Sequence, residues 1–569
     1  MIGLPSATRE TDPFDLCIVG AGAAGLSLAA RFIGAGLKVV LLEAGGARQT
    51  QASQALYEGE LADLAAHPYL HHYRVRALGG SSRIWGGRCI PFDPIDFAAR
   101  DWVPGPGWPI SLESLTPYYV AAQTAAEAGP FDYDPRTALP GRQVEWAPGL
   151  DGPLLETRLE RFSKPTNFWT RYGDALRTAT DVWVAPETPV LAIRLSADGS
   201  RVDHLEIQGP DGGRRPLTAR RYVLALGGLE TVRLMLASRD VKPAGVGNDH
   251  DQLGRYYMTH LAATYGQVSF AGPPSSIAHN YERDAAGVYV RRRLAVSAEA
   301  QRRLGLLNLI FRTHPADPMD PAHGDSILSA MYLVKDLVLY EYSRRFREAR
   351  ITGADRLRHV GNILRHPGRL AHFGWIWLTD RILADRKLPS VVLDSDRGRY
   401  ALEFHAEQAP DPDSRLTLAD TLDRYGIPRL KIDWRATPRD IESIQAAYAL
   451  LARELERTGV GTLDYDPEGL ARATMKAGAY GGHHLGAARM SARPEDGVVD
   501  ENLKVHGVDN LFVASGAVFP TSSQANPTLT IVALALRLAD HLRAGLAPAA
   551  ALRAPSFQGD PPRQTAPVS

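Results

Sequence analysis

A glycine-rich turn near the start of the chain constrains the fold more than any other feature. Residues 15–44 read DLCIVGAGAAGLSLAARFIGAGLKVVLLEA: an apolar strand, a Gly-rich turn, a helix of small residues and a second strand. Such glycines permit a tight turn, close approach of a pyrophosphate and close helix–sheet packing, while an acidic residue about 20 positions on binds a ribose hydroxyl. The acid here follows the last glycine by 18 residues. The pattern predicts a Rossmann-like unit that binds a dinucleotide through Gly20, Gly22, Ala23, Ala24, Gly25 and Glu43.

Composition restricts the class of protein. With 569 residues, 64 basic and 64 acidic side chains and 44% apolar residues, the chain can bury a large core, and we expect two interleaved domains. Zero net charge argues against nucleic acid as a partner. No apolar run reaches spanning length, so we predict no transmembrane segment and a cytoplasmic location. Cys17 and Cys89 form no disulfide, haem or zinc pattern, and we predict no metal site.

A second Gly-rich loop lies at residues 78–91, LGGSSRIWGGRCIP. It has too many Gly and Ser residues for a helix or strand interior, and its backbone N–H groups can approach a flat ring or a phosphate. Farther on, residues 182–184 and 190–194 read as strands, and a hairpin is expected at residues 211–213. Residues 222–225 form an apolar strand that should return to the first sheet.

The C-terminal third contains a further pattern. Residues 481–490 read GGHHLGAARM, an apolar strand follows at 511–514, and a long apolar helix begins near Pro527. A turn, a strand and a helix N-terminus in this order are expected where a ligand is bound.

These blocks together resemble a known family. In order and spacing, residues 20–43, 79–91, 225–238 and 483–526 are similar to the glucose–methanol–choline (GMC) family of flavin oxidoreductases. Residues 504–511 and 525–542 look most like its sugar-oxidising branch, which holds pyranose oxidases, C-glycoside oxidases and fructose or gluconate dehydrogenases. Residues 413–434 resemble the family's substrate-domain strands.

The resemblance implies an α/β fold, α+β overall. A Rossmann-like FAD-binding domain is interleaved with a substrate-binding domain built on an antiparallel or mixed sheet with helices on one side. We expect four parts. Residues 1–258 form the first part of the FAD-binding domain, with the loop 78–91 and an excursion near 100–175, and residues 259–477 form the substrate-binding domain. Residues 478–547 complete the FAD-binding domain and carry the catalytic residues, and residues 548–569 form a disordered tail.

The resemblance also implies FAD, with its pyrophosphate on the first glycine turn. Ile84 stands where pyranose oxidases carry a histidine joined covalently to the flavin, so we expect non-covalent binding. Ala488 and Gly86 replace small polar residues of many relatives, which weakens the case for a true oxidase. The further residues predicted to contact the cofactor are Gly79, Gly80, Ser81, Ser82, Trp85, Gly86, Gly87, Val190, Gly227, Ser515, Gly516, Ala517, Asn526, Pro527 and Thr528.

His483 matches the family's catalytic histidine and Asn526 its partner. An imidazole with an ordinary pKa near ~6.5 can accept a hydroxyl proton at neutral pH, and an amide can orient the substrate oxygen. The alternative is that His483 caps a turn and Asn526 caps the following helix. His484 should point to the opposite face of an extended strand and pack there. His260 could line the site from the far side of the flavin.

The resulting hypothesis is oxidation of a secondary alcohol of a sugar, glycoside or polyol to a ketone by hydride transfer to flavin N5. Oxygen or a quinone-like acceptor would regenerate the flavin, and an oligomer is compatible with the sequence. Alternatives are a non-sugar alcohol and a non-oxidative reaction such as that of the family's hydroxynitrile lyases. Residues 344–387 are strongly basic and contain two Trp residues. They fit a solvated helix pair, a membrane or partner contact, or a receptor for an anionic substrate.

Overall fold

The computed structural model describes residues 1–4, 13–209, 211–333, 353–390, 392–395 and 398–546. The predicted disordered tail, 548–569, and residues 344–352 of the basic segment lie outside these ranges.

Twenty strands are defined in the described residues. They are β1 Phe14–Val19, β2 Val39–Leu42, β3 Gly59–Leu61, β4 Arg88–Cys89, β5 Leu155–Phe162, β6 Val182–Ala185, β7 Val190–Leu195, β8 Val202–Gln208, β9 Arg214–Leu217, β10 Ala219–Leu224, β11 Met258–Phe270, β12 Tyr281–Arg283, β13 Tyr289–Val296, β14 Leu309–His314, β15 Arg399–Ala406, β16 Arg415–Leu422, β17 Pro428–Asp433, β18 Gly461–Asp464, β19 Ala479–Leu485 and β20 Leu511–Val513.

The α-helices of the described residues are α1 Ala23–Ala30, α2 Gln51–Gln54, α3 Pro94–Phe97, α4 Leu112–Ala125, α5 Pro135–Ala138, α6 Phe168–Thr178, α7 Gly227–Ala237, α8 Ala298–Leu304, α9 Ser326–Leu333, α10 Gly353–Arg365, α11 Pro367–Ile376, α12 Pro438–Thr458, α13 Pro467–Ala477 and α14 Thr528–Leu546. A π-helical segment, Trp377–Leu383, follows α11. Within these residues, none of the helices combines the length and the apolar composition needed to cross a bilayer.

The first sheet is parallel, with strand order β20-β10-β1-β2-β6. Its central strand, β1, carries Leu16, Cys17 and Ile18 with no exposed surface, because helices cover both faces of such a sheet. The predicted Rossmann-like unit is confirmed, and the strand expected at residues 222–225 pairs with β1 as predicted. The strand expected at 190–194 begins a separate antiparallel sheet, β7-β8-β9, whose β8–β9 connection is the expected hairpin at 211–213.

The second large sheet has nine strands, and its main path is β18-β11-β15-β14-β13-β5-β4. Strand β12 pairs with β13, and β19 pairs with β11. Strands from residues 88–89, 155–162 and 479–485 therefore join those of the predicted substrate-binding region. The domain boundaries stay predictions, but the sheet takes strands from each of the first three predicted parts.

The two faces of the nine-stranded sheet differ. On one face, Phe311 of β14 and Phe404 of β15 pack their rings against Tyr448 of α12, with centroids 5.4 and 5.8 Å from it. The opposite face carries buried polar side chains, among them His260 of β11 and His405 of β15. Because successive side chains of a strand alternate between faces, one set forms the core and the other faces the candidate site.

Candidate active site

The first glycine turn fits a pyrophosphate. Gly20 has φ +106°, and a Cβ there would lie 2.5 Å from the Ala225 carbonyl oxygen; a Cβ on Gly25 would lie 1.9 Å from the Gly20 oxygen. A Cβ on Gly22 would meet no atom within 4 Å. Gly22 is the N-cap of α1 and has no side-chain cap. The first amides of α1 therefore face open space at the positive end of the helix, where a phosphate binds well.

Glu43 lies beside this turn at the end of β2. Its Oε2 accepts a hydrogen bond from the Ala21 amide at 2.9 Å, and its Oε1 accepts one from the Gly45 amide at 2.8 Å. Burial raises the pKa of Glu43, while these amides and Arg76 oppose the rise. Each carboxylate oxygen can accept a second hydrogen bond, so Glu43 keeps the capacity to hold a ribose hydroxyl.

The second Gly-rich loop is docked on the first. The Gly79 amide donates to the Ala21 oxygen at 2.9 Å, and a Cβ on Gly80 would come within 2.9 Å of the Gly22 Cα. The Ser82 hydroxyl donates to the Gly79 oxygen at 2.6 Å. These contacts bring the two predicted cofactor segments together.

The outer half of this loop is anchored from the side. The Trp85 indole N–H donates to the Thr166 oxygen at 2.8 Å, Gly86 has open space where a side chain would be, and Gly87 has φ +73°. Ser81 and Ile84 are exposed.

The remaining predicted cofactor residues occupy four places. Gly227 starts α7 and has open space around it. Ser515 caps the short turn of Gly516 and Ala517, whose carbonyls accept from the amides of Gly486 and Ala488. Pro527 and Thr528 lie at the start of α14. Val190 starts β7, two residues after Thr188, whose amide donates to the Glu43 carbonyl oxygen at 2.8 Å.

His483 and Asn526, 43 residues apart, meet at the candidate site. The Asn526 Nδ2 lies 3.2 Å from the His483 Nε2. On the other side of the imidazole, the His483 Nδ1 lies 2.7 Å from the Nδ1 of His260. The His260 Nε2 in turn lies 3.1 Å from the Ser522 carbonyl oxygen. Four residues from three segments thus form one hydrogen-bonded chain.

The carbonyl at the end of this chain decides where every proton lies. A carbonyl oxygen only accepts, so the His260 Nε2 carries a hydrogen, and in a neutral ring the His260 Nδ1 is then an acceptor. The His483 Nδ1 must donate to it. The His483 Nε2 therefore carries a lone pair and accepts from the Asn526 amide, which is the tautomer that a general base requires.

Burial keeps these rings neutral. Desolvation lowers the pKa of His260 to about 4. It also lowers the pKa of His483 well below its usual value, with repulsion from His260 and Arg88 adding to the effect. At neutral pH His483 therefore remains in the form that can accept a proton.

His405 is the third histidine of the cluster. Its ring centroid lies 4.5 Å from that of His260 and 5.9 Å from that of His483. Ring nitrogens of the three residues lie within 4.8 Å of one another. However, the His405 Nδ1 donates to the Gln524 oxygen at 2.6 Å, and the two facing Nδ1 atoms of His260 and His483 share a proton. An ion bound by all three rings would have to displace that hydrogen bond, so the absence of a metal stays a prediction.

The other histidines lie apart from this cluster. His484, next in β19, points away from His483: its Nδ1 lies 2.7 Å from the Tyr257 hydroxyl, and its ring stacks on that of His67 at 6.2 Å. His71 and His72 contact each other with centroids 4.6 Å apart. Cys17 and Cys89 are buried and free.

Sequence reasoning missed two residues of the site. His405 was not singled out, and His260 was given only as a residue that could line the far side of the flavin. Each is a histidine within a buried strand, in the segments MTHLAAT and ALEFHA. A titratable side chain within a buried strand is the signal that could have drawn attention to both.

The chain is similar to known proteins in sequence and in fold. A family model described as GMC oxidoreductase matches residues 410–535, and one described as lycopene cyclase protein matches residues 15–73. The chain is 25% identical to 6'''-hydroxyparomomycin C oxidase of Streptomyces lividus, over 95% of this chain and 94% of that protein. It is 24% identical to paromamine 6'-oxidase of Streptomyces fradiae, over 94% and 92% respectively.

Among solved structures, a formate oxidase of Aspergillus oryzae superposes on this chain with a TM-score of 0.53 at 16% identity. The match covers 95% of this chain and 99% of the formate oxidase, whose structure was solved to study its FAD modification. This likeness concerns the fold. Together with the family model and the relatives, it implies FAD as the cofactor, and the glycine turn and Glu43 fit that group. The chain is therefore similar to the glucose–methanol–choline oxidoreductases, whose family model matches its residues 410–535.

Proposed function

We propose that this enzyme oxidises a secondary alcohol of a sugar, glycoside or polyol to the ketone, with His483 as the general base. One observation carries the proposal: the chain from the Ser522 carbonyl through His260 leaves the His483 Nε2 as an acceptor that faces Asn526. A base in this state is ready for a hydroxyl proton.

When bound, FAD supplies the two-electron acceptor for the hydride of the carbinol carbon. The residues of the chain handle the oxygen and its proton. The substrate O–H donates to the His483 Nε2 and its proton moves there, while the Asn526 amide donates to the substrate oxygen as negative charge develops. The proton on His483 Nδ1 continues to donate to His260, so the ring keeps its orientation while it becomes charged.

The relatives support the substrate class. The two named above are, by their names, oxidases of hydroxyparomomycin and paromamine. They support a polyhydroxylated substrate. A non-oxidative reaction of the hydroxynitrile lyase type uses the same scaffold and is the second candidate to be tested.

The decisive experiment follows the oxidised-flavin absorbance of the purified protein under anaerobic conditions while monosaccharides, glycosides and simple alcohols are added singly. Bleaching by a sugar or glycoside is the expected result. Bleaching only by simple alcohols would overturn the substrate class. If no alcohol bleaches the flavin but a cyanohydrin is cleaved, the oxidative proposal is wrong.

Non-covalent FAD is part of the proposal, since Ile84 offers no atom for a bond to the flavin. Acid precipitation should release all yellow colour into the supernatant, and colour retained in the pellet would contradict it. Glu43→Ala should lower FAD occupancy after gel filtration, whereas Glu58→Ala, an exposed acid outside the cradle, serves as the control. Full occupancy in the Glu43 variant would argue against its role on the ribose.

The acceptor, the oligomeric state and the cytoplasmic location belong to the proposal as well. After anaerobic reduction, stopped-flow readmission of oxygen or of a soluble quinone gives the two reoxidation rates. The faster of the two identifies the acceptor class. Fractionation of the native cells and sedimentation of the purified enzyme test the other two expectations.

A further inference from the structure

The face of the nine-stranded sheet that holds His260 continues as a polar surface. Residues directly opposite each other in antiparallel strands share a face. Ala262 of β11 pairs with His405 of β15, and Arg312 of β14 pairs with Glu403 of β15, two residues from His405. On the next strands the same face carries Glu160, which accepts from the Arg312 Nη1 at 2.9 Å.

Three of these side chains are almost fully buried and yet incompletely bonded. Glu160, Arg312 and His405 are 0%, 1% and 1% exposed. Among the described residues, no hydrogen-bond partner is present for the Glu160 Oε1, the Arg312 Nη2 or the His405 Nε2. A buried polar atom left without a partner is unfavourable. Several of them on one surface indicate that something else provides their hydrogen bonds.

The unsatisfied atoms comprise two donors, the Arg312 Nε and Nη2, and two acceptors. The Arg312 Nη2 can only donate and the Glu160 Oε1 can only accept. The His405 Nδ1 carries the ring hydrogen because it donates to the Gln524 carbonyl, so the Nε2 is an acceptor. The matching ligand must both donate and accept hydrogen bonds, as hydroxyl groups do.

Ion pairs hold these side chains in place. Arg312 forms ion pairs with Glu160 at 2.9 Å and Glu403 at 3.2 Å, and Arg88 forms one with Glu160 at 3.2 Å. The same face also carries the buried Arg291 and Arg293. Such a surface offers donors and acceptors to the hydroxyl groups of a polyhydroxylated ring.

The surface adjoins the base. The His405 centroid is 5.9 Å from that of His483 and 5.5 Å from that of Tyr480, which also lies on β19. Building on the proposed function, we infer that Glu160, Arg312 and His405, hereafter the polar wall, bind the non-reacting hydroxyls of a polyhydroxylated ring while His483 acts on the reacting one.

Two carbocyclic probes that differ only in hydroxyl number test the polar wall: myo-inositol and cyclohexanol, with glucose as a third. The second-order rate of anaerobic flavin reduction is measured for each in the wild type and in His405→Phe, which keeps a ring but removes the Nε2 acceptor. We expect the rate with the polyhydroxylated probes to fall at least about tenfold more than the rate with cyclohexanol.

Phe404→Leu, on the opposite face of the same strand, is the matched control and should affect all probes equally. Glu160→Gln is the second wall variant if His405→Phe does not fold, with the same expected pattern. An equal loss on every probe, or no loss on any, would overturn the polar wall.

The result can be separated from the proposed function. If no alcohol reduces the wild-type flavin, the proposed function fails, and the polar wall is then tested by the shift of the flavin absorbance on titration with glucose. Weaker glucose binding in His405→Phe than in the wild type and in Phe404→Leu supports it. Equal binding in all three overturns it.

Discussion

His483 and His484 are neighbours on one strand, and a different hydrogen-bonded chain starts from each. The His483 chain runs through His260 to the Ser522 carbonyl. The His484 chain runs through the Tyr257 hydroxyl to His67, whose Nδ1 lies 2.7 Å from the Pro68 carbonyl oxygen.

Both chains finish on a backbone carbonyl oxygen. For this reason the Nε2 of the first histidine in each chain, His483 or His484, keeps a lone pair. In the second chain, His67 donates to Pro68 from Nδ1, Tyr257 donates to the His67 Nε2, and His484 donates to the Tyr257 oxygen. Burial lowers the pKa of His484 well below its usual value, as it does for His483.

The difference lies in what faces the lone pair. The His483 Nε2 faces the Asn526 amide and adjoins the polar sheet face. The His484 Nε2 has no hydrogen-bond partner among the described residues. The His484 backbone packs closely on α7, since a Cβ on Gly228 would lie 2.2 Å from the His484 carbonyl oxygen. A fixed tautomer alone therefore does not distinguish the two histidines. The role proposed for His483 rests on the surroundings of its lone pair.

The largest expected effect separates the two histidines directly. His483→Ala should retain FAD and lose at least ~100-fold in the rate of anaerobic flavin reduction, because the general base is gone. His484→Ala, the matched control, should lose less than about tenfold. Similar losses in the two variants would remove the distinction between the chains.

The next effect tests the His483 chain one residue further back. His260→Phe removes the acceptor that fixes the His483 tautomer, and a loss of about 10–100-fold in the reduction rate is expected. His260→Asn can again offer an oxygen to the His483 Nδ1 and should recover part of the rate. A structural role alone would leave both variants equally impaired.

The two chains should behave alike in their response to acid. The pKa of His260 is about 4 in the folded protein and 6.5 in the unfolded chain, so the unfolded state binds more protons below pH 6.5 and stability falls as the pH drops toward 4. Between pH 7.5 and pH 5 this residue alone should lower the free energy of unfolding by about 2 kcal/mol.

Urea unfolding at the two pH values measures this loss in the wild type, in His260→Asn and in His484→Asn. Each variant should depend less steeply on pH than the wild type. An unchanged pH dependence would show that the substituted histidine is not buried in its neutral form.

The smallest effect concerns the middle of the His484 chain. Tyr257→Phe removes the hydroxyl between two histidines and should destabilise the fold by about 1–2 kcal/mol. Its flavin reduction rate should change less than that of His260→Phe, since the base is on the other chain. If the loss of reduction rate, expressed as a free energy, exceeded the loss of folding stability, His484 would take part in the reaction.

Much of the site could be predicted because its signals are local. The glycine turn requires φ values and close approaches that only glycine allows, as at Gly20 and Gly25. The strand at residues 511–513 and the helix from Thr528 follow from apolar runs and a proline. The pairing of His483 with Asn526 rested on family resemblance, and the structure brings the two side chains together.

The sequence by itself determined the dinucleotide unit, the order of its elements and the histidine–asparagine pair, since each depends on residue types a few positions apart or on a recognisable family pattern. Only the tertiary structure decided which histidine supports the base and which side chains line the polar sheet face. His260, His405 and His483 come from three strands far apart in the chain, and β4 and β5 join the second sheet from the N-terminal part. Strand pairing across such distances depends on the packing of the whole molecule, and alternation along one strand specifies a face without specifying its neighbour.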